Sequence, residues 1–252
     1  MISILYVTKR PGGFDILRDN LRRQTYQDFE VVIVDELYDW RYREVAEYFK
    51  RYNIKHIQPR PANEGDVWNI NKAYNDGLDV CSGNYIISLQ DYIWIPANGF
   101  QRFLENMDAT KCITGCGHKY KKPEEIEYEG KLKCFNKLPE LDGDIIEFDD
   151  RMRFSLGLIE SEPSYFELNW AIFPKNKELR FSEEMDKFYG CDNIYLGILA
   201  EDLGMSIYVD SLNVCKGYSQ NLFGRPENWE EKHHNKDQRF VKYLWTLGFR
   251  LH

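Results

Sequence analysis

The segment Phe29-Glu30-Val31-Val32-Ile33-Val34 is apolar and β-branched at nearly every position, a run suited to a strand covered on both faces. A strand of that kind needs helices on each side of its sheet, and the flanking sequence supplies them. Ser3–Val7 and Tyr85–Leu89 are further apolar runs, and Lys55–Gln58 is a shorter strand candidate. Between these runs, Phe14, Leu17 and Leu21 recur at helical spacing, as do Val45, Tyr48, Phe49 and Tyr52. A third stripe, Val67, Ile70, Tyr74, Leu78 and Cys81, has Asp66 in place to cap its start and Gly83 to end it. The β-α-β-α-β-α-β order predicts an α/β fold with a mostly parallel sheet flanked by helices.

Beyond Pro96 the pattern loosens. A helix over Phe100–Met107 and a strand over Lys111–Gly115 are expected, followed by an excursion at 117–150 rich in Lys, Glu, Asp, Pro and Gly. That excursion reads as a loop or a small antiparallel flap. Order returns with Phe166–Phe173, a helix over Asp192–Ala200, a strand over Ser206–Asp210 and a helical tail around Arg239–Trp245. At 252 residues, one large domain or one domain with an appended lobe is expected.

Composition narrows the partners. A net charge of −8 carries no basic footprint for DNA or RNA. The densest basic patch, Lys119-Tyr120-Lys121-Lys122, meets Glu124 and Glu125 at once and reads as a solvated loop. No stretch approaches the ~18 apolar residues of a membrane span. The opening Met1–Val7 runs into a strand pattern without a cationic leader, and the six cysteines show no paired CxxC spacing. A cytoplasmic protein with reduced, packed thiols is expected.

In open parallel sheets, ligands bind beyond the carboxyl ends of strands near a topological switch point. Thr8-Lys9-Arg10, Asp35-Glu36 and Gln90-Asp91-Tyr92 occupy those positions. Neither GxGxxG nor a Walker pattern is present. Strand-end carboxylates without a phosphate-cradling loop suit a phosphate ligand held through a divalent cation. Asp91 in that reading is a metal ligand; its plainer reading is a strand-end cap.

Arg23-Gln24-Thr25-Tyr26-Gln27-Asp28, running into Phe29–Glu36, resembles the opening of family 2 glycosyltransferases of the GT-A fold. Ala73-Tyr74-Asn75-Asp76-Gly77-Leu78, with Ser82-Gly83-Asn84-Tyr85 and the strand ending in Gln90-Asp91, is similar to that family's helix, Gly-x-Tyr strand and DxD region. Pro96 stands where the family often has a proline. Phe188-Tyr189-Gly190-Cys191-Asp192-Asn193 resembles its acceptor-side acidic motif. The likeness covers residues 2–105 well and 166–215 more loosely.

The resemblance implies a nucleotide-sugar-binding half at 1–110, and an acceptor-binding half with a C-terminal tail at 111–252 of the same domain. Thr8 and Arg10 would lie by the base, and Glu36 with Asp35 would hold uracil or ribose. Asn69 and Lys72 would reach base or phosphates, and Asp91 would bind manganese or magnesium on the diphosphate. Gln90 replaces the first acid of DxD and Tyr92 stands where a further acid is common, which puts metal affinity in doubt. The family's late metal histidine is missing from Val214–Tyr218; His233 and His234 are nearest, with His234 the candidate ligand.

The implied reaction is inverting transfer from a UDP-sugar to a saccharide, lipid-linked or other hydroxyl acceptor. Asp192 would be the general base; the plainer reading of an acid at that position is a cap of its helix. Two other classes stay open: a nucleotidyltransferase on a similar sheet, and a silent nucleotide- or sugar-binding module.

Overall fold

The strand and helix patterns translate into elements close to where periodicity puts them. The computed structural model describes residues 1–122, 127–139, 141, 144–149, 151, 156–187 and 192–218, without the side chain of Asp192. In chain order they are β1 (Ile2–Thr8), α1 (Phe14–Arg23), β2 (Phe29–Asp35), α2 (Tyr38–Tyr48), β3 (Ile54–Ile57), α3 (Ile70–Val80) and β4 (Tyr85–Leu89). Then come β5 (Ile93–Trp94), α4 (Gly99–Asn106), β6 (Lys111–Tyr120), β7 (Tyr128–Glu129), β8 (Cys134–Phe135), β9 (Ile145–Phe148) and β10 (Leu158–Ser161). The last three are β11 (Trp170–Pro174), α5 (Asp192–Asp202) and β12 (Ser206–Tyr218).

The sheet runs β10-β12-β6-β11-β4-β1-β2-β3. Strands β3, β2, β1 and β4 are mutually parallel, so the predicted α/β architecture holds. Antiparallel β11 joins this block to β6, which β12 accompanies in parallel. The chain leaves β1 toward β2 and β3, then returns to its other side as β4. That reversal is a topological switch point, and it leaves a crevice beyond Thr8 and Leu89.

Period-two alternation sorts the core into two layers. Ile4, Tyr6, Val31, Ile33, Ile87 and Trp170 pack with Phe14, Leu17, Phe49, Phe100 and Phe103 from the α1, α2 and α4 side. Leu5, Val32, Val34, Ile86, Ala171 and Phe173 face the other way, onto Ala73, Tyr74 and Leu78 of α3 and Leu196 of α5. Each large aliphatic side chain so buried is worth roughly 1.5–3 kcal/mol. Gly77 lets α3 settle onto the sheet, since a Cβ there would stand 2.3 Å from a Leu5 methyl and 2.8 Å from one of Val34.

At the amino ends of the strands, buried Glu30 accepts hydrogen bonds from Ser3 Oγ (2.6 Å) and Ser82 Oγ (2.7 Å) and pairs with Lys55 (2.8 Å). Burial works to raise this carboxyl, but Lys55, Ser3 and Ser82 outweigh it and hold it at about 2, below its ordinary 4.5. A carboxyl depressed on folding stabilises above its unfolded pKa and ceases to do so as pH falls through its folded one. Thermal melts of Glu30→Gln against the parent should therefore differ most near neutrality, with the gap closing between pH 4.5 and 2. A gap that persists unchanged to the acid end would show that the charge contributes nothing.

Three boundaries differ from the sequence pattern. Helix α3 starts at Ile70 with Asn69 before it, and its cap comes from Asp186, whose carboxylate accepts from the Asn71 (2.9 Å) and Lys72 (3.1 Å) backbone N–H groups. Asp66 caps nothing here; it accepts from the Asn63 N–H instead. Strand β12 does not stop at Asp210. A bulge between Asp210 and Val214 absorbs the break, while Arg102 neutralises the buried carboxylate through two bonds of 2.7 Å. Strand β6 continues alongside it through Lys119 and Tyr120, which are therefore sheet residues and not loop. Part of the 117–150 excursion is the antiparallel kind of flap: β7 pairs β8, and β9 pairs β6. The tail helix expected at Arg239–Trp245 lies outside the described residues. Among the described residues, no helix is long and apolar enough to cross a membrane.

Candidate active site

The carboxyl ends of β1 and β4 meet at the switch point through side chains. Thr8 Oγ1 donates to Asp91 Oδ2 at 3.1 Å, and Arg10 Nη1 donates to Asp91 Oδ1 at 2.5 Å. The Arg10 backbone N–H closes back onto Thr8 Oγ1 at 3.2 Å, so the turn after β1 presents the guanidinium in a set direction. Its carbon lies 4.5 Å from the centroid of the Tyr92 ring, a cation–π distance. Tyr92 reaches that position with φ of +53°, a left-handed backbone unusual for a side-chain-bearing residue. Gly13, at +99°, begins α1 against the same turn; a Cβ there would meet Tyr6 Oη at 2.8 Å and Asp91 Cβ at 3.4 Å.

Arg10, Gln90, Asp91 and Tyr92 line a cleft of about 820 Å³. His118, Asp149, Arg151, Glu167, Asn169 and Tyr218 line it as well. The size lies within the range of ligand sites. Arg151 grips Asp149 through Nε to Oδ1 (2.8 Å) and Nη2 to Oδ2 (2.5 Å), and donates from Nη1 to the Tyr165 carbonyl (2.9 Å). Burial would raise the Asp149 carboxyl, but Arg151 outweighs it and the net direction is down. Sequence reading missed this lining pair. The only trace of it was Asp149-Asp150-Arg151, three charges inside a charged excursion.

The structure separates the other expected site residues. Asp35 does not face the cleft. Both its oxygens are used internally, by Arg41 Nε (2.8 Å) and Nη2 (2.7 Å), by the Leu37 N–H (2.8 Å) and by His56 Nε2 (3.1 Å). Burial raises its carboxyl, His56 and Arg41 lower it, and the lowering prevails. Lys72 is also turned inward: Nζ donates to the Pro61 carbonyl (2.9 Å) and pairs with Asp66 (3.5 Å). Asn69 donates to the Arg60 carbonyl (2.9 Å), while its buried Oδ1 has no hydrogen-bond partner among the described residues. Glu36 is exposed beside the end of β1, its backbone N–H donating to the Thr8 carbonyl (3.0 Å). Crowding by surrounding atoms raises the Glu36 carboxyl, Lys9 counters this, and Asp186 and Asp35 add to it. Gln90 lines the cleft, its backbone N–H donating to the Asn169 carbonyl (3.0 Å).

A divalent cation at Asp91 does not fit this arrangement. The carboxylate is 5% exposed, each oxygen already accepts a hydrogen bond, and the adjoining guanidinium would repel a second cation. Burial raises its pKa, Arg10 and Thr8 pull it back, and the net direction is up. Gln90 and Tyr92 supply no carboxylate. Among the described residues, no group of three His, Cys, Asp or Glu side chains could hold a metal. His234 lies outside the described residues. Asp192 is the first residue of α5, with its side chain outside them.

The model of glycosyl transferase family 2 matches residues 16–159, more than half of the chain. The protein belongs to glycosyl transferase family 2. Its fold is shared with solved GT-A structures. GalNAc-T7, crystallised with UDP, GalNAc and Mn2+, superposes with a TM-score of 0.65 at 12% identity, over 97% of this chain and 48% of that one. TarS of S. aureus (residues 1–349), in complex with UDP, gives 0.57 at 16% identity, over 87% of this chain and 60% of that one. The TarS complex with UDP-GlcNAc gives 0.58 at 15%, over 89% and 59%. The family 2 chain thus spans about half to three-fifths of those proteins' length. No curated protein matches it.

Proposed function

We propose that this family 2 chain transfers a glycosyl group from a nucleoside diphosphate sugar, most readily a UDP-sugar, to an acceptor hydroxyl with inversion. The observation that carries the reading is the cleft of about 820 Å³ at the switch point, lined by Arg10, Gln90 and Asp91. Two of the solved structures that share the fold hold UDP, and a third holds UDP-GlcNAc. Glu36, exposed at the end of β2, accepts from the uracil imide N–H or a ribose hydroxyl. Thr8, Asn69, Lys72 and Asp35 support that end of the sheet from within. Asp192, opening α5, takes the proton as the acceptor oxygen attacks the anomeric carbon. The bond from that carbon to the β-phosphate oxygen breaks, and its electron pair leaves with the nucleoside diphosphate. A carboxylate at a helix N-terminus is favoured in the ionised form a base requires. The cation expected at Asp91 is no part of this reading, because Arg10 already holds that carboxylate. A cytoplasmic place of action belongs to the same proposal and suits Cys81, Cys112, Cys116, Cys134 and Cys215, all free thiols.

Incubation with UDP-sugars tests the reaction class. Slow release of UDP, the background hydrolysis of a glycosyltransferase, is the expected result. Pyrophosphate released from UTP would instead identify a nucleotidyltransferase, and neither product would leave a binding module.

A further inference from the structure

We propose that the Arg10 guanidinium, clamped between Asp91 and Tyr92, meets the donor's diphosphate and stabilises the leaving group in the place a metal ion would take. This rests on the nucleotide-sugar reading and adds the means by which the charge is balanced. The argument starts from what Gln90-Asp91-Tyr92 has become. Its one carboxylate faces inward, holding Arg10 at 2.5 Å and Thr8 at 3.1 Å. Its third residue is an aromatic ring lying 4.5 Å from the guanidinium carbon. The left-handed backbone at Tyr92 has a cost and persists only where surrounding structure imposes it. The ring and the carboxylate together fix a cation at the switch point.

That cation remains accessible. The Arg10 side chain is 29% exposed against 6% for Asp91, and Arg10 lines the cleft. Among the described residues, its guanidinium makes a single hydrogen bond, to Asp91, out of five N–H donors. The remaining fork matches phosphate oxygens, which arginine engages in pairs. The other Lys and Arg side chains lining the cleft are already paired, Lys119 with Glu147 (2.6 Å) and Arg151 with Asp149 (2.5 Å). As the bond to the anomeric carbon breaks, negative charge grows on the β-phosphate oxygen, and a fixed donor needs no rearrangement to receive it. Asp91 is then a positioning residue that aims Arg10.

Calorimetric titration of the full chain with UDP and with uridine, in EDTA and then in manganese, decides the matter. Expected are equal UDP affinities in both conditions, and a loss of at least about tenfold for UDP in Arg10→Ala with uridine binding unchanged. Arg10→Lys should recover part of the loss, since a point charge replaces the fork. UDP binding that needs manganese in the parent protein and disappears in Asp91→Asn would overturn the inference while leaving the nucleotide-sugar reading intact. So would undiminished UDP affinity in Arg10→Ala. No UDP binding in either condition would overturn both. The comparison of EDTA with manganese uses the parent protein, so it stands even if a variant fails to fold.

Discussion

Asp192→Asn is expected to slow UDP release from UDP-sugars by about 10²–10⁴-fold, the usual worth of a general base, with UDP affinity unchanged. The amide keeps the size of the carboxylate and can still accept a hydrogen bond at the start of α5, so folding should survive. What it cannot do is take the proton from the attacking oxygen. Initial rates of UDP release, alongside calorimetric UDP binding, separate the two roles this position allows. A residue that only caps its helix would lower the melting temperature and leave the rate per folded molecule intact. Full turnover in Asp192→Asn would remove it from the chemistry and send the search to Glu167, which lines the cleft.

The second large effect concerns stability. Asp35 and Arg41 form an ion pair at 2.7 Å in which both side chains are 0% exposed. Removing one partner leaves a buried, unpaired charge, which costs about 3–5 kcal/mol. Asp35→Ala should thus unfold at a temperature lower by roughly 10 °C, at about 2–4 °C per kcal/mol for a chain of this size. Among the described residues Arg41 Nη1 has no hydrogen-bond partner, and beyond Asp35 the guanidinium has only the Phe14 ring, 4.6 Å away. Replacing both residues, with Asp35→Leu and Arg41→Met, should restore most of the loss, because matched apolar side chains remove the desolvation problem together with the pair. Thermal unfolding of the three proteins provides the check. A melting point for Asp35→Ala equal to that of the parent would mean that water reaches the site and the pair is not buried in solution.

The same pair shows why the site was only partly legible. Asp35-Glu36 at the end of β2 looks like two ligands offered to a crevice, and the strand end was placed correctly. Which of the two acids turns outward depends on Arg41, one helical turn into α2, and on His56 in β3. No motif contains those partners. Asp91 repeats the lesson. Its position after a buried strand was evident, but its role depends on a guanidinium 81 residues earlier and a Thr8 hydroxyl that take the two oxygens a metal would need. Lys72 and Asp66, both polar and both near the third helix, turned out to satisfy each other and the loop before it.

From the sequence alone, the period-two and helical-period patterns determined the parallel block, its flanking helices and the strand ends where chemistry is possible. These signals are local, and the hydrophobic effect reads them without regard to partners. The tertiary structure alone decided which polar side chain met which. Asp186 caps α3 from more than a hundred residues away, Arg102 allows β12 to pass through Asp210, and Arg10 takes the carboxylate of Asp91. A buried charge must find a counter-charge wherever the fold brings one near, and that pairing is a property of the folded chain.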